Sequence, residues 1–143
     1  MGMDDVDVLL VEDNPDDAEL TLRALRKSNA ADRLLHVDDG AKAIDFLFND
    51  VCARLPRFIL LDLKLPKIDG LEVLRRVKGD QRTRTIPVVI LTSSKEERDV
   101  MTSYDLGVNS YIVKPVGFDQ YMRTVSDVGR YWNDLNQLPQ MAP

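Results

Sequence analysis

Val8-Leu9-Leu10-Val11-Glu12-Asp13 and Phe58-Ile59-Leu60-Leu61-Asp62 decide the fold. Each is a short apolar run that ends in carboxylate. Strands apolar at nearly every position are covered on both faces, as in parallel sheets flanked by helices. In an open parallel sheet, ligands bind outside the carboxyl ends of the strands, where the strand order reverses. Glu12, Asp13 and Asp62 gathered there repel one another, and each pKa rises unless a cation joins them. A hard divalent ion such as Mg²⁺ takes oxygen ligands and keeps waters that a phosphate can displace. These residues point to phosphoryl chemistry.

Outward from these two runs, apolar segments alternate with amphipathic ones. Val6–Val11 reads as a strand. The following helix has Asn14 as N-cap, Pro15 at its first position and Asp16-Asp17 in its first turn, with Ala18, Leu22 and Leu25 on its buried face. Leu34–Val37 is the second strand and Ala41–Phe48 the second helix. Phe58–Asp62 is the third strand, followed by a loop bracketed by Pro66 and Gly70 and a helix to about Lys78, closed by Gly79. Pro87–Leu91 and Ser110–Val113 are the fourth and fifth strands. Helices over about Lys95–Leu106 and Phe118–Trp132 follow them, the last with Phe118, Met122, Val125 and Trp132 on one side.

This βα rhythm predicts an α/β, flavodoxin-like, doubly wound five-stranded parallel sheet, order 2-1-3-4-5, with helices on both faces. Residues 1–5 read as an N-terminal tail, 6–132 as the domain and 133–143 as a C-terminal extension. Asn49–Arg57 is a surface loop.

Composition narrows the function. A chain of 143 residues with 44% hydrophobic and 30% charged side chains suits one domain with a real core. The net charge of −5 argues against a nucleic-acid surface, which needs a basic patch. The acidic start, Met1-Gly2-Met3-Asp4-Asp5, lacks a secretory pattern, and no apolar run reaches membrane-spanning length. A cytoplasmic protein with neither nucleic-acid nor membrane partners is expected. Cys52 is the single cysteine, so no internal disulfide framework is available, and with no histidine near it in sequence it reads as a bystander. His36, the single histidine, reads as a strand residue. Asp38-Asp39 falls at the sheet edge as turn chemistry before a helix, and Lys95-Glu96-Glu97-Arg98 as a solvated first helical turn.

In the order 2-1-3-4-5, Glu12, Asp13 and Asp62 converge, with Thr92 and Lys114 next along the rim. Asp62 is placed to attack phosphorus as a carboxylate nucleophile. Asp13 and Glu12 can hold the cation directly or through water. Lys114 can contact a phosphoryl oxygen as a point charge, and Thr92 can donate its hydroxyl to another.

The runs through Glu12-Asp13, Leu60-Leu61-Asp62-Leu63-Lys64-Leu65-Pro66, Asp69-Gly70, Leu91-Thr92-Ser93 and Tyr111-Ile112-Val113-Lys114-Pro115 resemble the receiver domains of response regulators, the CheY-like family. The likeness covers residues 6 to 132. It implies that Asp62 is the phosphoacceptor, taking phosphate from a phosphohistidine on a sensor histidine kinase. It implies Mg²⁺ on Asp13, Asp62 and the backbone carbonyl of Lys64, with Glu12 in the outer shell. Thr92 and Tyr111 form the switch, the Tyr111 ring turning inward as Thr92 moves. Lys114-Pro115 contains a cis peptide, on the family's pattern alone. The Lys64 side chain bears on how long the phosphate lasts.

Ser103-Tyr104-Asp105-Leu106-Gly107-Val108-Asn109-Ser110-Tyr111-Ile112 and Tyr131-Trp132-Asn133-Asp134-Leu135-Asn136 further resemble single-domain regulators paired with bacterial phytochromes. That subgroup dimerises through the face of the fourth helix, fifth strand and fifth helix. Tyr104, Tyr121, Val128, Tyr131 and Leu135 are its candidates here; the alternative, of equal weight, is that half of them merely cover the core. The resulting expectation is a single-domain response regulator that is not an enzyme beyond its own phosphoryl transfer and dephosphorylation. It acts on a histidine kinase or histidine phosphotransfer protein. Two alternatives are a non-phosphorylated pseudo-receiver and an aspartate-nucleophile phosphohydrolase. A hydrolase of the haloacid-dehalogenase type wants a second acid where Lys64 stands, and a cap domain as well.

Overall fold

The structure is a computed structural model that describes residues 6–28, 33–49 and 55–139. Cys52 and both extreme ends lie outside the described residues. Five parallel strands, β1 (Val8–Val11), β2 (Leu34–Val37), β3 (Phe58–Leu61), β4 (Val88–Thr92) and β5 (Ser110–Val113), form one sheet in the order β2-β1-β3-β4-β5. This is the flavodoxin-like α/β arrangement that the sequence predicts. The helices are α1 (Pro15–Lys27), α2 (Gly40–Ile44), α3 (Gly70–Gly79), α4 (Glu97–Asp105) and α5 (Phe118–Gly129).

Alternation along the strands divides the core in two. Leu9, Val11, Ile59, Leu61, Val88 and Ile90 point to the side covered by α2 and α3. Val8, Leu10, Phe58, Leu60, Val89 and Leu91 point to the side covered by α1 and α5. Each fully buried Val, Leu, Ile or Phe side chain contributes about 1.5–3 kcal/mol, so β1, β3 and β4 anchor the sheet.

Helix ends follow the capping residues. The Asn14 side chain accepts from the amides of Asp16 and Asp17, both at 3.0 Å. Asp39 caps α2 through the Lys42 amide at 2.7 Å, and Asp69 caps α3 through the Glu72 amide at 2.9 Å. Asp39 is thus the turn residue expected of it, and Asp38 pairs with Lys42 on the surface.

Several boundaries differ from expectation. After Ile44 the second helix widens to π-type winding over Asp45–Asn49, and α5 does the same over Arg130–Leu135. Both stretches preserve helical periodicity in sequence, which does not distinguish the two windings. α4 starts at Glu97, so Lys95 and Glu96 lie in the solvated turn before it. On α5 the inward residues are Tyr121, Val125 and Val128, while Phe118 is exposed. Tyr121 and Val128 are 3% and 8% exposed and belong to the core, so they offer nothing to a dimer face; Tyr104, Tyr131 and Leu135 are exposed.

The loop from Leu63 to Asp69 is clamped by two close approaches. A Cβ on Gly70 would overlap the Asp62 carbonyl oxygen and stand 2.5 Å from the Leu63 Cα. One on Gly40 would overlap the Ile68 carbonyl oxygen. Only glycine fits at either position, and this packing fixes the backbone that follows Asp62.

Candidate functional site

Register builds the site. Val11 pairs with Leu61, so Glu12 and Asp62, each one residue further on, leave adjacent strands side by side. The Asp62 amide donates to the Val11 carbonyl at 3.0 Å. Thr92 pairs with Val113, which places Lys114 just past it, and the Lys114 amide donates to the Thr92 carbonyl at 2.7 Å. Ligand oxygens of Glu12, Asp13 and Asp62 lie within 4.8 Å of one another, with Asp13 exposed at the mouth. These are all-oxygen donors at spacing suited to a hard divalent cation.

The Lys114 ammonium lies inside this cluster. Its Nζ stands 2.8 Å from Glu12 Oε1, 2.9 Å from Asp62 Oδ2 and 2.8 Å from Asp17 Oδ2. Asp17 was absent from the predicted set. Its sequence signal, an acid in a first helical turn, reads as a helix-dipole residue; the Asn14 cap turns that same position toward Lys114.

The two buried carboxylates diverge. Glu12 is 2% exposed, and burial pushes its carboxyl up to about 7, against the hydrogen bond from Lys114. Asp62 is 7% exposed and also pays for burial, but the hydrogen bond and charge of Lys114, with a hydrogen bond from Thr92, hold its carboxyl below the usual range. Burial opposes the Lys114 charge, yet hydrogen bonds to Asp17, Glu12 and Asp62 outweigh it and raise the ammonium's pKa. An ionised, lysine-paired Asp62 beside a proton-prone Glu12 suits Asp62 to act as nucleophile.

The remaining predicted residues fall around this centre. Thr92 is buried, and its Oγ1 accepts from the Ser94 amide at 3.3 Å. Tyr111 is half-buried against the core, with its hydroxyl donating to the Ser94 carbonyl at 3.0 Å. Lys64 is exposed, and its amide lies 3.4 Å from Asp62 Oδ1. His36 is a strand residue whose Nε2 lies 2.7 Å from the Glu12 carbonyl, so it steadies the end of β1. The Lys114–Pro115 bond is trans, which corrects the expected cis peptide. Trans is the lower-energy form of an X–Pro bond, favoured by about 0.5–1 kcal/mol, and the strand-end hydrogen bond of Lys114 is made without the cis form.

With this geometry in place, similarity to known proteins is decisive. The family model of the response regulator receiver domain matches residues 8–126. The chain belongs to the response-regulator receiver family. It is 43% identical over 137 residues to the probable methanogenesis regulatory protein FilR2 of Methanothrix harundinacea, covering 94% of this chain and 88% of that one. It is 38% identical over 135 residues to response regulator Rcp1 of Synechocystis, covering 92% of each. The crystal structure of Mn²⁺-bound Rcp1 superposes with a TM-score of 0.87 over 93% of this chain and 98% of that one. The phosphorylated cyanobacterial phytochrome response regulator RcpA, 38% identical, gives 0.87 over 94% and 99%. Among the described residues no helix is long and apolar enough to cross a membrane.

Proposed function

We propose that this receiver is a single-domain response regulator of a two-component phosphorelay, phosphorylated on Asp62 by a sensor histidine kinase. The observation that carries the reading is a buried, ionised Asp62 at the end of β3, paired with Lys114 and flanked by Glu12 and Asp13. An Asp62 oxygen attacks phosphorus, the phosphorus–nitrogen bond of the phosphohistidine breaks, and the imidazole leaves.

The residues present fit a divalent cation. Asp13, Asp62 and the Lys64 backbone carbonyl are its proposed ligands, with Glu12 in the outer shell. The Mn²⁺ in Rcp1 supports a divalent site, and Mg²⁺ is the proposed ion here. When bound, it offsets negative charge on the incoming phosphoryl oxygens. Lys114 then turns from Asp62 to a phosphoryl oxygen, and the Thr92 hydroxyl donates to another. Thr92 and Tyr111 together change the face formed by α4, β5 and α5.

The likeness to Rcp1 and to the phytochrome regulator RcpA supports a phytochrome-type kinase as partner, in the cytoplasm. Exposed Met101, Tyr104, Tyr131 and Leu135 support a homodimer through the α4–β5–α5 face. Light scattering with and without a phosphoryl mimic tests the dimer; one mass in both states would exclude phosphorylation-controlled assembly.

Intact mass after incubation with acetyl phosphate and Mg²⁺ tests the phosphoacceptor. One added phosphate is expected in the wild type and none in Asp62→Asn or without Mg²⁺. No adduct, or one that survives the substitution, would leave a pseudo-receiver that works by docking alone or place the phosphate elsewhere.

A further inference from the structure

Ser94 is 7% exposed, and its polar groups reach three separate elements of the fold. Its amide donates to Thr92 Oγ1 at 3.3 Å, at the end of β4. Its carbonyl accepts from the Tyr111 hydroxyl on β5 at 3.0 Å. Its own hydroxyl donates to Asp99 Oδ2 at 2.6 Å, inside the first turn of α4. Thr92 in turn lies beside Asp62, close enough for its hydroxyl to favour the ionised carboxylate. A continuous chain therefore runs from the phosphoacceptor through Thr92 and Ser94 to α4.

The α4 end of that chain is otherwise loosely fastened. Glu96, its N-cap, makes no side-chain capping bond, unlike Asn14, Asp39 and Asp69. Asp99 reaches back to Ser94 instead, and the Asp99 carbonyl holds the Ser103 hydroxyl at 2.7 Å. A charge-assisted O–H···O⁻ bond of 2.6 Å is among the stronger kinds. The start of α4 is thus tied to the Ser94 hydroxyl, which donates to Asp99 and accepts from the Glu96 amide at 3.4 Å.

We infer that Ser94 and Asp99 are positioning residues whose hydrogen bond makes α4 follow Thr92 when the site is filled. This rests on the phosphoacceptor reading for what fills the site, but the bond and its geometry stand without it. When a phosphoryl oxygen draws the Thr92 hydroxyl inward, the Ser94 amide goes with Thr92, and Asp99 carries the first turn of α4. Met101, two residues on and 59% exposed, reports the outcome on the outer face.

The test uses the full chain with [¹³C]methyl-methionine, titrated with beryllofluoride and Mg²⁺. In the wild type the Met101 methyl signal shifts and the Asp13 amide signal reports that the site is filled. Ser94→Ala and Asp99→Ala should each cut the Met101 shift by about half or more while the Asp13 signal still moves, and the double variant should cut it no further. Ser94→Thr keeps the hydroxyl and Asp99→Asn keeps an acceptor, so both should restore the shift, which a merely destabilised helix would not. A full Met101 shift in both alanine variants with the site filled overturns the inference.

If the wild type takes up no beryllofluoride, the phosphoacceptor reading fails on its own. Amide hydrogen exchange in the first turn of α4 then judges the latch. About fivefold faster exchange is expected in each alanine variant, with no further gain in the double. Wild-type exchange in the single variants overturns it.

Discussion

The Lys114 ammonium and an Asp62 carboxylate oxygen stand 2.9 Å apart beneath the mouth of the site, and the same ammonium contacts Glu12 and Asp17. The protein carries its own counterion for carboxylates that a bound cation would otherwise balance. Burial, which would raise both acids, prevails at Glu12, with the Asp62 charge adding to it, and is outweighed at Asp62 by the hydrogen bond and charge of Lys114.

Lys114→Met removes that counterion and leaves buried acids unpaired. The metal-free protein should lose on the order of 3 kcal/mol in urea denaturation, as buried pairs broken on one side do. Millimolar Mg²⁺ should return more stability to the variant than to the wild type. Equal midpoints without metal would show that the carboxylates do not depend on the ammonium.

Mg²⁺ should raise the melting temperature of the wild type. A ligand that binds only the native state contributes about 2.7 kcal/mol at a hundred times its Kd. Asp13→Asn removes one of the three clustered carboxylates and should abolish most of the shift seen by differential scanning fluorimetry. A shift that persists in this variant would place the cation elsewhere.

Gly70→Ala forces a methyl into the backbone of Asp62 and Leu63. Overpacking of this kind costs about 1–3 kcal/mol. Because the displaced atoms carry Asp62, the Mg²⁺-dependent rise in melting temperature should shrink as well. An ordinary response to Mg²⁺ in a destabilised variant would separate the packing of α3 from the geometry of the site.

Lys78 predicts a pH effect away from the site. Its Nζ donates to the carbonyls of Arg84 and Ile86 and to Asn109 Oδ1, and burial pulls the ammonium down to about 8. A folded-state pKa below the unfolded value near 10.5 means that the unfolded chain holds more protons between those values, so stability gains with rising pH there. Between pH 8 and 10 the wild type should gain stability relative to Lys78→Met in urea titrations. A constant difference would mean that the oxygen acceptors offset the burial and leave the lysine at its ordinary pKa.

Much of the site was legible in the chain because strand ends are legible. An apolar run that stops at a carboxylate marks where backbone leaves the core, so Glu12, Asp13, Asp62, Thr92 and Lys114 could be assigned to one rim. Asp17 and Ser94 were not found. Asp17 is an acid in a first helical turn, where helix-dipole chemistry already accounts for it. Ser94 follows Thr92-Ser93 with no local pattern to set it apart; its importance lies in bonds to residues 5 and 17 positions away. On α5, Val125, Met122 and Trp132 do face the core, but Phe118 is exposed and Tyr121 is buried; Phe118 and Tyr121 both suit an apolar stripe, and only the packing of α5 on α1 and the sheet chooses Tyr121.

The five βα units, the Asn14 cap and the line of carboxylates can be read from the chain alone, because they depend on local periodicity and on which residues can end a strand or start a helix. Only tertiary packing puts Lys114 among three carboxylates, Asp17 one of them, and lets Ser94 bridge Thr92, Tyr111 and α4. Those contacts join strands and helices distant in the chain, and their distances depend on sheet register and helix packing, which no local pattern encodes.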